Sequence, residues 1–391
     1  MMMFDSAKIN EERLAQEFIR IAEIPSPSYR ERDLADYLKG RLQKLGLDVE
    51  EDDAAEKIGG NCGNLLARLP GEERYPALLF CSHLDTVTPA EGVKVILENG
   101  VFRSRGDTVL GGDDKAGIAA LLEFLEMLRE SSHPHGTLEI LFTVGEEQGL
   151  LGSRNFDCSR LKARFGYVLD SSGKPGAIVT AAPAQNVFHV TVRGKAAHAG
   201  FEPEKGVNAI KIASEVIARL QLGRIDAETT ANIGVIKGGK ATNIVPDAVF
   251  IQGEARSLDR KKLEALTAEI VAEFESVSKF PGARGEVRVT REYPEYRLAP
   301  EQPVVQFASQ AISRAGLEVR LETSGGGSDA NIFNAIPGLA VANLAVGMQQ
   351  AHTTEEYLEL EDLVAVVRIL WEMLKLSTEV EGSAFDFLEK G

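Results

Sequence analysis

The sequence predicts an α/β protein: a mostly parallel sheet covered by helices, into which a ferredoxin-like α+β domain is inserted. Three observations predict it. Apolar runs alternate with amphipathic helical stretches from Asn10 to Leu169. From Gln185 to Thr290 the order becomes strand, helix, strand, strand, helix, strand, the split βαβ pattern. After Gln302 the helix–strand alternation resumes, so the middle block reads as an insertion. The expected domains are 1–183, 184–294 and 295–391.

The first helix starts at Asn10 or Glu11 and runs to Ala22, with Leu14, Phe18 and Ile21 on one face. Pro25 and Pro27 end it. Ser28 and Glu31 have the spacing of a capping box and predict a second helix ending near Gly46. Asn64–Leu69 and Ala77–Cys81 read as buried strands, as do Thr137–Val144 and Tyr167–Leu169. Between them, Asp114–Leu128 places Ile118, Leu121, Leu122, Leu125 and Leu128 on one side of a helix. Alternation of this kind favours a parallel sheet with helices on both faces.

In the middle block, Val187–Val192 is a strand and Asn208–Leu220 a helix. Thr230–Ile236 and Val249–Ala255 are strands, Asp259–Phe280 is a long helix, and Glu286–Thr290 closes the block. A stretch of about 110 residues can hold its own core. Beyond it come a helix at Gln302–Ala315, a buried strand at Leu339–Val346 and a closing helix at Asp362–Leu376.

A chain of 391 residues exceeds one ordinary core, in line with this division. With 44% hydrophobic and 26% charged residues it has the composition of a globular protein. The net charge of −16 argues against a nucleic-acid or anionic-membrane partner, either of which needs a basic face. Cys62, Cys81 and Cys158 are odd in number and widely spaced, and are expected to be reduced thiols. No apolar run approaches the roughly 20 residues that span a bilayer. Met1–Arg13 has no apolar core of signal-peptide length. The expected location is the cytoplasm.

Five acid-or-histidine sites follow five apolar runs or open a helix. His83 and Asp85, in Ser82-His83-Leu84-Asp85-Thr86, alternate so as to share one side of a strand end. There Asp85 can hold the second ring nitrogen of His83 and fix its tautomer. Asp113 and Asp114 sit in a glycine-rich turn before a helix; a cap explains one carboxylate but not two. Glu146 and Glu147 end a buried strand and point apart, so one can be a ligand and the other a general base. Asp170 and His352 follow two more strands. Open α/β sheets build their sites at such ends. Imidazole mixed with carboxylate suits zinc, with manganese or cobalt as alternatives.

With these motifs the chain resembles the di-zinc exopeptidases related to carboxypeptidase G and aminoacylase, most of all their peptidase T (tripeptide aminopeptidase) branch. The matching stretches are SHLDT, GGDDKAG, VGEEQG, YVLDSSG, GKAAHAG, TNIVP and SGGGSDAN, in the family's order along nearly the whole chain. The resemblance implies the zinc exopeptidase fold and two divalent metal ions. Asp113 would bridge them, His83 and Asp170 would complete one site, and Glu147 and His352 the other. It makes Glu146 the general base and Asp85 the partner of His83. It assigns His198 to the oxyanion, in relatives from the partner subunit of a dimer. Asn243 would contact substrate and Arg256 would bind a terminal carboxylate. Asp rather than Glu at position 170 is associated with aminopeptidase specificity.

The implied activity is hydrolysis of short peptides by a homodimer joined through the inserted domain. Two other readings stay open: an amidohydrolase acting on N-acyl amino acids, and a peptide- or metal-binding protein without catalysis. Glu146 beside a full ligand set argues against the latter. Ser324–Ser328 is glycine-rich but lacks the lysine of a phosphate-binding loop. His133 and His135 flank Pro134 and read as turn residues, and His189 as a strand residue.

Overall fold

The structure, a computed structural model, describes residues 8–379. The first seven residues of the stretch read for a signal peptide lie outside the described residues. The chain divides into two compact units. The first contains the chain up to Thr180, Arg297–Ser324 and the chain from Ser328 onward. The second contains Ala181–Tyr296 and Gly325–Gly327.

In the first unit the strand Leu78–His83 lies between Leu138–Thr143 and Phe165–Ser171 and is parallel to both. Ala340–Ala345 joins Phe165–Ser171, again parallel. Leu65–Leu69 and Asp48–Glu51 continue the sheet antiparallel beyond Leu138–Thr143. All six residues of Leu78–His83 and of Leu138–Thr143 are buried. Helices cover both faces of such strands, which is why they read as unbroken apolar runs rather than alternations. The helix Gly112–Ser131 packs so closely that a Cβ on Gly117 would lie 2.5 Å from the Leu169 carbonyl oxygen and from Ser82 Oγ. Only glycine permits that approach. Asp113 and Asp114, within its nominal span, have non-helical dihedrals, so regular helix begins after them.

The predicted capping box is corrected. The helix Arg32–Lys44 forms, with Glu31 at its N-cap position, but Glu31 makes no side-chain cap bond. Its Oε1 accepts from Tyr29 N and from Gly145 N, at 3.0 Å each. Ser28 Oγ donates to Asp85 Oδ2 at 2.7 Å. Glu31 is wholly buried, and there the amides of the turn following Thr143 need an acceptor more than the helix end does.

The second unit is an antiparallel sheet in the order Gly223–Arg224, Thr229–Gly238, Ala248–Ser257, Ala184–Arg193, Arg284–Tyr293. The helices Ala209–Ile217 and Arg260–Glu275 complete the ferredoxin-like arrangement. Phe188, Val190, Val192, Ile251, Leu263 and Phe274 share one core. Asn208 and Asp259 cap the two helices, accepting from Lys211 N and from Lys261 N and Lys262 N. The long helix expected over Asp259–Phe280 gives way after Glu275 to a 3₁₀ turn at Ser276–Lys279. Ser276 and Ser278 hydroxyls donate to the carbonyls of Glu273 and Glu275, competing with regular helical bonding.

Candidate metal centre

Parallel strands deliver their C-terminal ends to one edge of the sheet. His83 ends its strand, and Asp170 is the penultimate residue of Phe165–Ser171. Glu146 and Glu147 open a 3₁₀ turn directly after Val144 and Gly145. His352 follows Ala340–Ala345 on a loop where Gln350 and His352 both have left-handed backbone, φ 54° and 65°. His83 Nε2 lies 3.0 Å from Asp113 Oδ1 and 3.6 Å from Asp170 Oδ1. On the other side of the same carboxylate, Asp113 Oδ2 lies 3.1 Å from His352 Nε2. His352 Nε2 is in turn 3.0 Å from Glu147 Oε1. The structure thus brings His83, Asp113, Asp170, Glu147 and His352 together, with Asp113 between two donor sets.

Asp85 acts on this cluster twice. Its backbone oxygen lies 2.9 Å from His83 Nδ1, closer than its carboxylate at 3.4 Å. With Nδ1–H donating there, the Nε2 lone pair faces the cluster. The freed carboxylate accepts from Glu146 N at 2.9 Å and Glu147 N at 3.1 Å.

The charges call for a cation. Burial, then the charge of Asp170, pushes Glu146 well above the usual carboxylate range. Burial raises Asp170 to about 8, against the pull of His83. Asp113 is also raised by burial, but His352 and His83 outweigh this and hold it below the ordinary value. The facing carboxylates of Asp113 and Glu147 lift His352 to about 10. Glu147 Oε1 is buried and receives no hydrogen bond despite its 3.0 Å approach to His352 Nε2. Once the His352 ring gives up its proton, both atoms offer lone pairs to one point, which suits a shared cation. Ligand atoms of His83, Asp113 and Glu147 lie within 4.8 Å of one another, as do those of His83, Asp114 and Asp170. The donor set therefore fits divalent metal ions of the zinc, manganese or cobalt type.

Several contributors were given no role of their own from the sequence. Asp114 is buried; it accepts from His83 N at 3.2 Å and Gly117 N at 3.3 Å. Glu356 accepts from Gly111 N at 2.8 Å and Asp113 N at 3.0 Å, tying the loop of His352 to the turn of Asp113. Burial raises Glu356 to about 7 and lowers the nearby Lys115, whose Nζ donates to Ile24 O, to about 7. Asp329, in SGGGSDAN, accepts from Thr143 Oγ1 at 2.6 Å. For Asp114 and Glu356 the available signal was position, beside a candidate ligand and four residues from one; for Asp329 it was the SGGGSDAN motif.

His198, Asn243 and Arg256 belong to the second unit. There His198 pairs with Ile244 as an isolated bridge, and Ala199 N donates to Asn243 O at 2.9 Å, so GKAAHAG and TNIVP run side by side. His198 is exposed, and its Nδ1 accepts from Gly200 N at 3.1 Å and Phe201 N at 3.2 Å. That leaves the proton of the neutral ring on Nε2, as an outward-facing donor. Arg256 grips Glu254 with two bonds of 3.0 Å, and Gln185 Nε2 also donates to Glu254. His133 and His135 occupy the turn expected of them, each with Nδ1 on a neighbouring carbonyl oxygen. His189 lies in the strand Ala184–Arg193.

Residues 79–376 match the model of Peptidase family M20/M25/M40. A Bacillus subtilis protein described as uncharacterized protein YqjE is 45% identical over 362 residues, 93% of this chain and 97% of that one. The crystal structure of aminopeptidase PepT from Bacillus cereus superposes with a TM-score of 0.85 at 43% identity, covering 95% of this chain and 99% of that one. A tripeptidase from Staphylococcus aureus gives 0.90 at 38% identity, over 95% and 100% of the two chains.

Proposed function

The chain belongs to peptidase family M20/M25/M40 and is a metallo-exopeptidase, and from that premise we propose that it is an aminopeptidase acting on tripeptide-like substrates. The observation that carries this reading is the Asp113 carboxylate set between His83 with Asp170 and His352 with Glu147, with Glu146 next to Glu147 in the chain. Two zinc ions are the proposed occupants. Bound there, the ions would lower the pKa of a water and polarise the scissile carbonyl. Glu146 takes the water's proton and delivers it to the leaving amine. Its backbone amide on Asp85 keeps that carboxylate in place. His198 Nε2–H is the proposed donor to the oxyanion, and Asn243 a substrate contact. Arg256 is the proposed partner of the peptide's terminal carboxylate, because its fork can bond both oxygens.

The metal-loaded protein should release the N-terminal residue of tripeptides, and chelation should abolish this until zinc is restored. A folded, metal-loaded protein that cleaves no di- or tripeptide but deacylates N-acyl amino acids would replace this reading with the amidohydrolase one.

The proposed assembly is a cytoplasmic homodimer joined through the second unit. What supports it is the strand Thr229–Gly238, whose outer edge is bonded only from Thr229 to Ala231 among the described residues, while Val235 and Ile236 beyond them are exposed. An unpaired apolar edge invites another strand. Ile236→Lys should shift the mass measured by light scattering from dimer to monomer; a monomeric parent would exclude the assembly.

A further inference from the structure

Three consecutive backbone amides carry the general base and the neighbouring ligand, and each donates to a buried carboxylate. Gly145 N donates to Glu31 Oε1 at 3.0 Å, Glu146 N to Asp85 Oδ1 at 2.9 Å, and Glu147 N to Asp85 Oδ2 at 3.1 Å. Asp85 Oδ2 is itself held by Ser28 Oγ at 2.7 Å. Glu31 Oε1 also accepts from Tyr29 N, in the same short segment. Glu31 and Asp85 are both wholly buried, and Ser28 and Glu31 cap no helix. Gly145 has φ 58°, so the turn starts in left-handed backbone and its amides point outward from the strand for capture.

We propose that Ser28 and Glu31 are positioning residues for the reaction: together they clamp the Gly145–Glu147 turn and thereby set where the Glu146 carboxylate stands. The proposal rests on the reading of Glu146 as general base. Two side chains from one N-terminal segment, Glu31 buried and Ser28 half-buried, serve a turn more than a hundred residues away. Glu31 reaches its first amide directly. Ser28 acts through Asp85 on the next two. Neither is among the proposed metal ligands or substrate contacts. The physical reason for two carboxylates is that three successive amides at the end of a buried strand would otherwise lack acceptors. A general base must lie within hydrogen-bond reach of the proton it takes, so a displaced turn weakens kcat before KM.

The test compares Glu31→Gln, Glu31→Ala and Ser28→Ala with the parent, each metal-loaded, on one tripeptide. Gln keeps an acceptor oxygen for Gly145 N and Tyr29 N; Ala removes it. Glu31→Ala should lose kcat by about 100-fold with little change in KM, since a misplacement near 1 Å costs on that order. Glu31→Gln should stay within about threefold of the parent, and Ser28→Ala should fall between. Hydrogen exchange on the metal-free proteins supplies a second readout. The amides of residues 145–147 should exchange roughly tenfold faster in Glu31→Ala, while those of Leu138–Thr143 keep parental rates. If Glu31→Ala keeps parental kcat and parental exchange, or if Gln fails as badly as Ala, the clamp is overturned. A parent inactive on every peptide, with exchange behaving as stated, would sink the peptidase reading and leave the clamp standing.

Discussion

In the first unit His83, Asp85 and Glu146 are 2%, 0% and 9% exposed, whereas in the second unit His198 stands exposed beside Phe201, which is 81% exposed. The first group is held by bonds from residues far apart in the chain: Asp85, Glu31 and Glu356 all pin turns that carry the proposed ligands or the proposed base. The second group is held locally, His198 by the two amides that follow it and Arg256 by Glu254 two residues away. The difference teaches a division of labour. Buried, over-determined side chains can hold charge at high energy and aim it. His198, exposed with its Nε2 turned from those two amides, can meet something arriving from solution, whereas Arg256 is half-buried with its fork on Glu254.

The comparison breaks most visibly at Glu146. Glu146→Ala should lower kcat by about 1,000-fold while the bound-metal content, read by mass spectrometry, stays at the parental level. Next comes acidity, which should register in the first unit. Burial, then the charge of Asp85, raises Glu31 from its ordinary 4.5 to about 7 in the metal-free protein. The folded state then holds a proton that the unfolded chain has released, so stability declines as pH rises from about 4.5 to 7 and levels off above. Glu31→Gln should remove that decline, giving a stability relative to the parent that improves by about 3 kcal/mol across the window. Urea unfolding of metal-free proteins at pH 5, 6, 7 and 8 would measure it; a constant offset would contradict it.

Substitutions in the second unit should act differently. His198→Ala should reduce kcat about 100-fold with no change in metal content, and mixed dimers with Glu146→Ala should regain activity if the histidine works on the partner subunit. Arg256→Lys should raise KM about tenfold for tripeptides with a free carboxylate and leave amidated ones unchanged, because a lysine cannot make the forked contact.

Much of this was legible in the sequence. Apolar runs followed by acid or histidine marked His83, Glu146, Glu147, Asp170 and His352, because the period and the strand-end rule reach that far. Helix ends were less legible: serine hydroxyls at Ser276 and Ser278 turned the last stretch of a predicted helix into a 3₁₀ turn. Glu31 was misread because a serine three residues before a glutamate looks the same whether it caps a helix or reaches across the fold. Glu356 and Asp114 gave no periodic signal at all; their partners are backbone amides, which a sequence does not display.

The acid–imidazole cluster has one more consequence. With Asp170 near 8, His352 near 10 and Glu146 raised by burial, the metal-free centre is a small reservoir of protons at neutral pH. Loading it is therefore an exchange reaction, cation in and hydrogen ions out. The heat of titration with zinc should depend on the ionisation enthalpy of the buffer, and apparent affinity should weaken as the medium turns acidic. A cell compartment's acidity would then set how much of this protein is in working order.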